Sequence, residues 1–198
     1  MRSIRYAKEI EGISSIIAND MDSTAVESIE RNIKHNGVEG FVKGNKGDAC
    51  EVMYAHRNKN KFDIIDIDPY GSPSIFTDPA IQAVKHGGLL CVTATDLIVL
   101  CGNTPEVCYR KYGATPIKGK VCHETALRIV IHHIQHKAST YGKFVKPLLS
   151  LQMDFYLRVF LQVLDSPSLC QTLSSLLSPP FLTFLPFSCP TLFASPYP

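Results

Sequence analysis

The sequence predicts an α/β protein whose sheet is mostly parallel and ends in an antiparallel edge. Short apolar runs that suit strands alternate with amphipathic stretches that suit helices. Residues 62–67 form a β-branched run that is apolar enough for the centre of a parallel sheet. Pro69 cannot donate to a β-ladder, so this strand must end before it. In open α/β sheets ligands bind at the carboxyl ends of strands, which makes the following turn a candidate site.

The segments before this central strand also alternate. We expect helices where apolar residues recur at helical spacing between cap residues, and strands where short apolar runs occur. The expected elements are a helix over residues 2–11, a strand over 13–18, a helix from about 23 to 34, a weak strand over 41–43 and a short helix after 49. This order is the βαβα alternation of a parallel sheet.

The segments after the central strand continue the sheet and then change direction. The expected elements are a helix over residues 74–85, a strand over 89–95, a helix over 123–137 and two strands over 146–151 and 155–163. The last two strands are expected to form the antiparallel edge. Residues 103–120 are polar, contain Gly and Pro and give no clear element.

Length and composition limit the class of protein. A chain of 198 residues is long enough for one domain with a sizeable core. The formal net charge of +2 does not by itself indicate nucleic-acid binding, so any RNA contact would come from local clusters such as Arg110-Lys111. Seven unevenly spaced cysteines favour free thiols in a reducing, intracellular compartment. We find no signal peptide and no membrane-spanning run, and no protein partner can be inferred.

Four residues were considered as zinc ligands: Cys101, Cys108, Cys122 and His123. No Cys-x-x-Cys pair occurs, and their spacing matches no compact zinc module. Two histidines, His132 and His136, stand at i, i+4 on a predicted helix, but no acidic ligand follows at useful spacing. The sequence therefore predicts no metal site.

The turn after the central strand has the chemistry to hold a planar amine. The Asp68 carboxylate and the Pro69 carbonyl can accept hydrogen bonds from an exocyclic amino group, and Tyr70 can stack on the ring that carries it. Taken alone, this Asp-Pro-Tyr string is as often an ordinary turn at the end of a strand.

Longer strings make the turn more specific. They are residues 68–73 (DPYGSP), 87–96 (GGLLCVTATD), 108–114 (CYRKYGA) and 122–128 (CHETALR). Together they resemble the tRNA (guanine-26-N2)-dimethyltransferase family, over roughly residues 2–163. The resemblance implies a Rossmann-like class I methyltransferase fold, S-adenosyl-L-methionine as methyl donor and no metal. It also implies tRNA as the partner, methylated on the exocyclic amine of guanine 26.

The resemblance also implies roles for individual residues. Asp20 ends a strand where a carboxylate would accept both ribose hydroxyls, and Asp48 follows the next strand, where it would face the adenine amino group. The alternatives are a helix cap at Asp20 or Asp22 and a plain turn at Asp48. The expected sets are Asp68, Pro69 and Tyr70 for catalysis, Arg2, Asp20, Asp48 and Ala49 for the methyl donor, and Gly71, Phe76, Arg110 and Lys111 for the substrate.

The resemblance is incomplete at both ends of the chain. The family's first strand, central in its sheet, and the glycine turn after it are expected before Arg2, and the family's C-terminal domain is expected beyond the sheet. We expect residues 1–165 to form a partial methyltransferase domain and the uncharged residues 166–198 to be an unstructured tail. This chain alone is expected to have little activity. The alternatives are a non-catalytic fragment that acts as an RNA-binding or interaction module and, less favoured, a generic nucleotide-binding domain, because no Gly-x-Gly-x-x-Gly precedes Asp20.

Overall fold

A computed structural model describes residues 2–170 of the chain, which form two compact units with their boundary between Met53 and Tyr54. The first unit holds α1 (Arg2–Glu9), β1 (Ile16–Asp20), α2 (Ser23–Asn36), β2 (Val42–Lys46) and most of α3 (Ala49–Ala55). The second holds β3 (Phe62–Ile67), α4 (Ser74–Ala83), β4 (Val84–Ala94), α5 (Leu97–Leu100), α6 (Pro105–Tyr112), α7 (Cys122–Ser139), β5 (Lys143–Met153) and β6 (Tyr156–Asp165). The predicted α/β class is confirmed.

The first unit is built on a two-stranded parallel sheet. β1 pairs with β2 so that Asp20 lies opposite Lys46. The core of this unit joins α1 and α2 to the sheet through Ile4, Ile33, Val38 and Val42. Among the cap residues expected for α2, Asp22 is the N-cap, because its side chain accepts the N–H groups of Thr24 and Ala25.

The second unit is built on a four-stranded sheet with the order β3-β4-β6-β5. β3 and β4 are parallel, whereas β6 pairs antiparallel with both β4 and β5. The predicted antiparallel edge is therefore confirmed. The strands form two sheets, one in each unit, where the sequence predicted one. Strand and helix side chains fill the core of the second unit, among them Leu90, Val92, Ile134, Val145 and Leu161.

The predicted boundary between α4 and β4 is wrong. We expected the helix to continue to residue 85 and the strand to begin at residue 89, but α4 ends at Ala83 and β4 begins at Val84. A distant side chain explains why the helix ends early. The buried Lys143 ammonium donates to the carbonyls of Ile81 (2.6 Å) and Val84 (3.2 Å). One carbonyl in the last turn of the helix and one at the start of β4 are thus bound by the same side chain, where the backbone turns into the sheet.

β5 is one of the two edge strands of the four-stranded sheet and contains a proline. Its register with β6 shifts between Pro147 and Leu149, and the preceding Lys146 is exposed. The ladder resumes beyond the shift and continues to Met153.

The uncharged segment 166–198 is described only in part. Residues 167–170 are helical, and residues 171–198 lie outside the described part of the chain, so the expected tail falls mostly there. Within residues 2–170, no helix combines the length and the apolar character needed to cross a bilayer.

Candidate functional site

The turn that follows β3 is fastened to the end of β4. The Gly71 N–H donates to the Thr95 hydroxyl (2.7 Å), and the Thr95 N–H donates back to the Gly71 carbonyl (3.0 Å). Gly71 has a φ of 86°, a backbone conformation that favours glycine. Asp68 is exposed and Tyr70 is fully exposed. Thr95 thus fixes the backbone of the turn, while the Asp68 carboxylate and the Tyr70 ring are exposed to solvent.

A buried polar network supports this turn. The Ser72 hydroxyl donates to the Tyr112 phenol (2.8 Å), and the phenol donates to Asp96 Oδ1 (2.8 Å). Burial, with Asp96 as a second cause, raises the pKa of Tyr112 above its ordinary value of 10.0, so the phenol remains a donor. The Asp96 side chain is only 8% exposed, and Lys111 Nζ lies 3.3 Å from its Oδ2. Lys111, expected to bind substrate, thus neutralises a carboxylate within the site.

The network continues to a buried histidine on α7. His133 Nδ1 lies 3.3 Å from the Tyr112 carbonyl, and its Nε2 lies 3.2 Å from the Thr77 hydroxyl. The rings of Tyr112 and His133 meet edge to face with their centroids 5.5 Å apart. Burial lowers the pKa of His133, so its imidazole is neutral at physiological pH.

The other two expected substrate residues lie on helices of the same unit. Phe76 is half-buried in the first turn of α4, where its N–H donates to the Pro73 carbonyl (3.0 Å). Arg110 is exposed in the last turn of α6. Arg110 is therefore available to a partner, whereas the neighbouring Lys111 is partly occupied by Asp96.

The expected methyl-donor residues lie in the first unit, and three of them share one end of its sheet. The Gly47 N–H donates to the Asp20 carbonyl (3.0 Å), which joins the end of β1 to the turn before α3. Asp20 Oδ1 accepts the Asp22 N–H (2.9 Å), and Asp48 Oδ1 accepts the Cys50 N–H (2.7 Å). Asp22 rather than Asp20 is the cap of α2, and Asp48 makes the local turn that was its alternative role. Asp48 and Ala49 lie together at the start of α3, and Arg2 is exposed at the start of α1.

Comparison with known proteins decides the family. The family model described as N2,N2-dimethylguanosine tRNA methyltransferase matches residues 1–179. The chain belongs to this tRNA methyltransferase family. It is 52% identical over 164 residues to the tRNA (guanine(26)-N(2))-dimethyltransferase of Mus musculus, and 50% identical over 172 residues to that of Drosophila melanogaster. These matches cover 82% and 86% of this chain but only 25% and 30% of the two relatives.

A solved structure agrees with this tRNA methyltransferase assignment. The complex of Trm1 from Pyrococcus horikoshii with S-adenosyl-L-methionine is 34% identical in sequence and superposes with a TM-score of 0.80. It covers 86% of this chain, which in turn covers 49% of that protein. The Rossmann-like methyltransferase fold implied by the sequence is therefore confirmed.

One expectation about the candidate site stays a prediction. We expect Asp68 to lie close to Asp20 and Asp48, but Asp68 belongs to the second unit and the other two belong to the first. The structure brings together Asp20 and Asp48 within one unit. In the other unit, it joins the turn at Gly71 to Thr95 at the end of β4.

Sequence reasoning assigned no role to three residues that hold this turn: Thr95, Asp96 and Tyr112. One signal was available, because Asp96 follows β4 as Asp68 follows β3, and parallel neighbours end at the same edge of a sheet. Tyr112 offered no such signal, because it lies 16 positions from Asp96 and reaches it only in the folded chain.

Proposed function

We propose that the protein to which this chain belongs transfers a methyl group from S-adenosyl-L-methionine to the exocyclic amine of guanine 26 in tRNA. The chain spans 25–30% of the relatives described above, so this activity is proposed for the longer protein. The observation that carries the proposal is the turn after β3. It presents an exposed carboxylate and a fully exposed aromatic ring, and Thr95 fixes its backbone.

The task of the turn is to orient a weak nucleophile. The amino group on guanine C2 is a poor nucleophile because its lone pair is conjugated with the ring. If the Asp68 carboxylate and the Pro69 carbonyl accept its two N–H bonds, the lone pair is directed toward the methyl donor. S-adenosyl-L-methionine supplies a methyl group that is already activated by a sulfonium. The carboxylate also stabilises the positive charge that develops on nitrogen, and it can take the proton that nitrogen then loses.

The aromatic residues of the turn would receive the base. A guanine inside a folded tRNA has to be flipped out of its stack, at a cost of a few kcal/mol. The exposed Tyr70 ring and the half-buried Phe76 ring can offset this cost by stacking. The exposed Arg110 can bind a phosphate, while Lys111 holds Asp96 in place.

The residues at the end of the first unit's sheet fit an adenosine. Asp20 uses Oδ1 for the Asp22 N–H, and within residues 2–170 its Oδ2 has no hydrogen bond, so this oxygen can accept a ribose hydroxyl. Asp48 would accept from the adenine amino group beside the Ala49 N–H, and Arg2 would pair with the carboxylate of the methionine end.

Two measurements test the proposal. In the first, this chain replaces the matching segment of the Mus musculus relative, and transfer of radiolabelled methyl is measured on a tRNA transcript with guanine or adenine at position 26. We expect methylation of the guanine transcript alone. Asp68→Asn should lower the rate about 10²–10³-fold, the usual loss on removing one group that stabilises developing charge.

Asp63→Asn is the matched control, because Asp63 is an exposed carboxylate on the same strand and forms an ion pair with the exposed Lys85. Equal activity on both transcripts would exclude guanine 26 as the acceptor. Equal rates for the Asp68 and Asp63 variants would exclude the role given to the turn.

The second measurement asks whether this chain alone binds the methyl donor. Calorimetric titration of the purified chain with S-adenosyl-L-methionine should give one site that Asp20→Ala weakens. Retention of tRNA binding without any such site would favour the alternative of a non-catalytic RNA-binding module. That the protein works in a reducing intracellular compartment stays a prediction. One relative, from Saccharomyces cerevisiae and 49% identical, is named as mitochondrial.

A further inference from the structure

A cluster of two thiols and an imidazole lies where α5 ends and α7 begins. The Sγ atoms of Cys101 and Cys122 and a ring nitrogen of His123 all lie within 4.8 Å of one another. Cys101 follows the last residue of α5, and the other two are the first residues of α7. The two cysteines are 21 positions apart in sequence, which is why their spacing indicated no metal module.

The geometry of the cluster is that of metal ligands. Cys101 Sγ lies 3.7 Å from His123 Nδ1. A tetrahedral Zn²⁺ with a Zn–S bond of about 2.3 Å and a Zn–N bond of about 2.0–2.1 Å separates its sulfur and nitrogen ligands by about 3.5 Å. The Cys101–His123 separation therefore needs little adjustment to admit the ion, and the other two separations are at most 4.8 Å. Thiolate sulfur and imidazole nitrogen are also the ligands that zinc prefers.

The two thiols are partly buried, and Cys122 is the first residue of the 18-residue helix α7. His123 is exposed, and the adjacent Glu124 is engaged by Arg128 at 2.8 Å.

We propose that Cys101, Cys122 and His123 bind one Zn²⁺ ion, with water in the fourth position. On binding, each thiol releases its proton to solvent, two Zn–S bonds and one Zn–N bond form, and no redox change occurs. The ion ties the end of α5 to the start of α7 and so closes residues 102–121 into a loop. This loop contains α6, which carries the Tyr112 and Lys111 side chains that hold Asp96.

Titration of the reduced, metal-free 198-residue chain with Co²⁺ tests the site, because cobalt bound by thiolates in a tetrahedral site gives visible d–d bands and near-ultraviolet sulfur-to-metal charge transfer. We expect one equivalent of Co²⁺ to bind with both signals, and one equivalent of Zn²⁺ to remove them. Cys101→Ser and Cys122→Ser should each weaken binding by at least about 100-fold, since loss of an outer partner alone costs about 10–100-fold.

Two further variants keep the test decisive. His123→Ala removes an exposed side chain, so it should fold and still lose affinity. Cys170→Ser is the matched control, because Cys170 is a half-buried thiol elsewhere in the second unit, where its S–H donates to the Lys143 carbonyl at 3.2 Å. Circular dichroism checks the fold of each variant. No thiolate charge transfer, equal binding by the Cys101 and Cys170 variants, or a Cys101–Cys122 disulfide that persists under reductant would overturn the proposal.

Discussion

Arg158 reaches across the second unit's sheet from β6, passes over β4 and forms an ion pair with Asp66 on β3. Its Nη2 donates to both carboxylate oxygens at 2.9 Å, and its Nη1 donates to the Thr93 hydroxyl at 2.6 Å on the way. The two side chains are only 10% and 15% exposed. This arrangement joins three neighbouring strands by one guanidinium.

Removal of one partner of this ion pair should destabilise the second unit strongly. Asp66→Ala leaves a buried guanidinium without its counter-charge, and we expect the free energy of unfolding to fall by about 3–5 kcal/mol. Urea denaturation monitored by circular dichroism measures the loss. Asp63→Ala removes the exposed pair with Lys85 and should cost less than about 1 kcal/mol. Equal losses in the two variants would contradict the importance of burial.

Tyr112→Phe should loosen the turn through Asp96 and Ser72. The variant deletes a buried hydroxyl that bonds to both, so unfolding should become easier by about 1–3 kcal/mol. In the chimera described above, kcat should fall while the KM for S-adenosyl-L-methionine stays unchanged. Tyr109→Phe, on the same helix with its ring 65% exposed, is the control and should change neither quantity. A fall in kcat for both variants would argue against the network.

The stability of the second unit should decrease on acidification because of His133. Burial lowers its pKa in the folded chain below the ordinary 6.5, so between these two pKa values the unfolded chain binds a proton that the folded chain does not. The contribution of His133 to the free energy of unfolding is complete above pH 6.5. It falls by at most about 1.4 kcal/mol per pH unit as the pH decreases toward the pKa of His133 in the folded chain.

His133→Gln should remove this part of the slope in urea titrations at several pH values. The pKa of His132 is also lowered, by burial and then by His136, so a smaller slope should remain. His136→Gln replaces an exposed imidazole on the same helix and should keep most of the slope. An unchanged slope in the His133 variant would show that another group is responsible.

Substitution of Asp48 should mainly affect binding of the methyl donor, whereas substitution of Asp68 should mainly affect methyl transfer. In the chimera, Asp48→Ala should weaken binding of S-adenosyl-L-methionine first, because Asp48 is expected to face the adenine. Asp68→Ala should abolish transfer and leave that affinity nearly intact. A calorimetric titration beside a radiolabel assay measures both quantities. If both variants lost binding and transfer in equal measure, the assigned roles would be wrong.

The parts of the fold that sequence could predict are those fixed by local pattern. The strand that became β3 was predicted because its apolar run stops at a proline. α6 was not predicted because its sequence is polar. Its ends nevertheless carry helix signals: Pro105 at the start, basic residues in the last turn, and Gly113 with a φ of 72° at the end. The observed end of an element differs from the predicted one where a distant side chain binds its backbone, as Lys143 does at the end of α4.

The parts of the site that sequence could not predict depend on long-range contacts. Asp20, Asp48 and Asp68 were predicted as site residues because each follows a strand candidate, a position that sequence alone reveals. The Asp96–Tyr112 hydrogen bond and the Cys101–His123 contact join residues that only the packing of α5, α6 and α7 brings together. No local spacing rule contains that information.

The proline of β5 has a consequence for how copies of this protein behave toward each other. An edge strand offers unpaired backbone groups on which another chain can build a β-ladder. Pro147 has no N–H to offer, the adjacent shift of register interrupts the regular repeat, and the exposed Lys146 brings a charge to the same place. A second chain adding along β5 would meet a missing donor and a charged side chain in the middle of the strand. This edge therefore resists the edge-to-edge pairing of strands that begins amyloid growth.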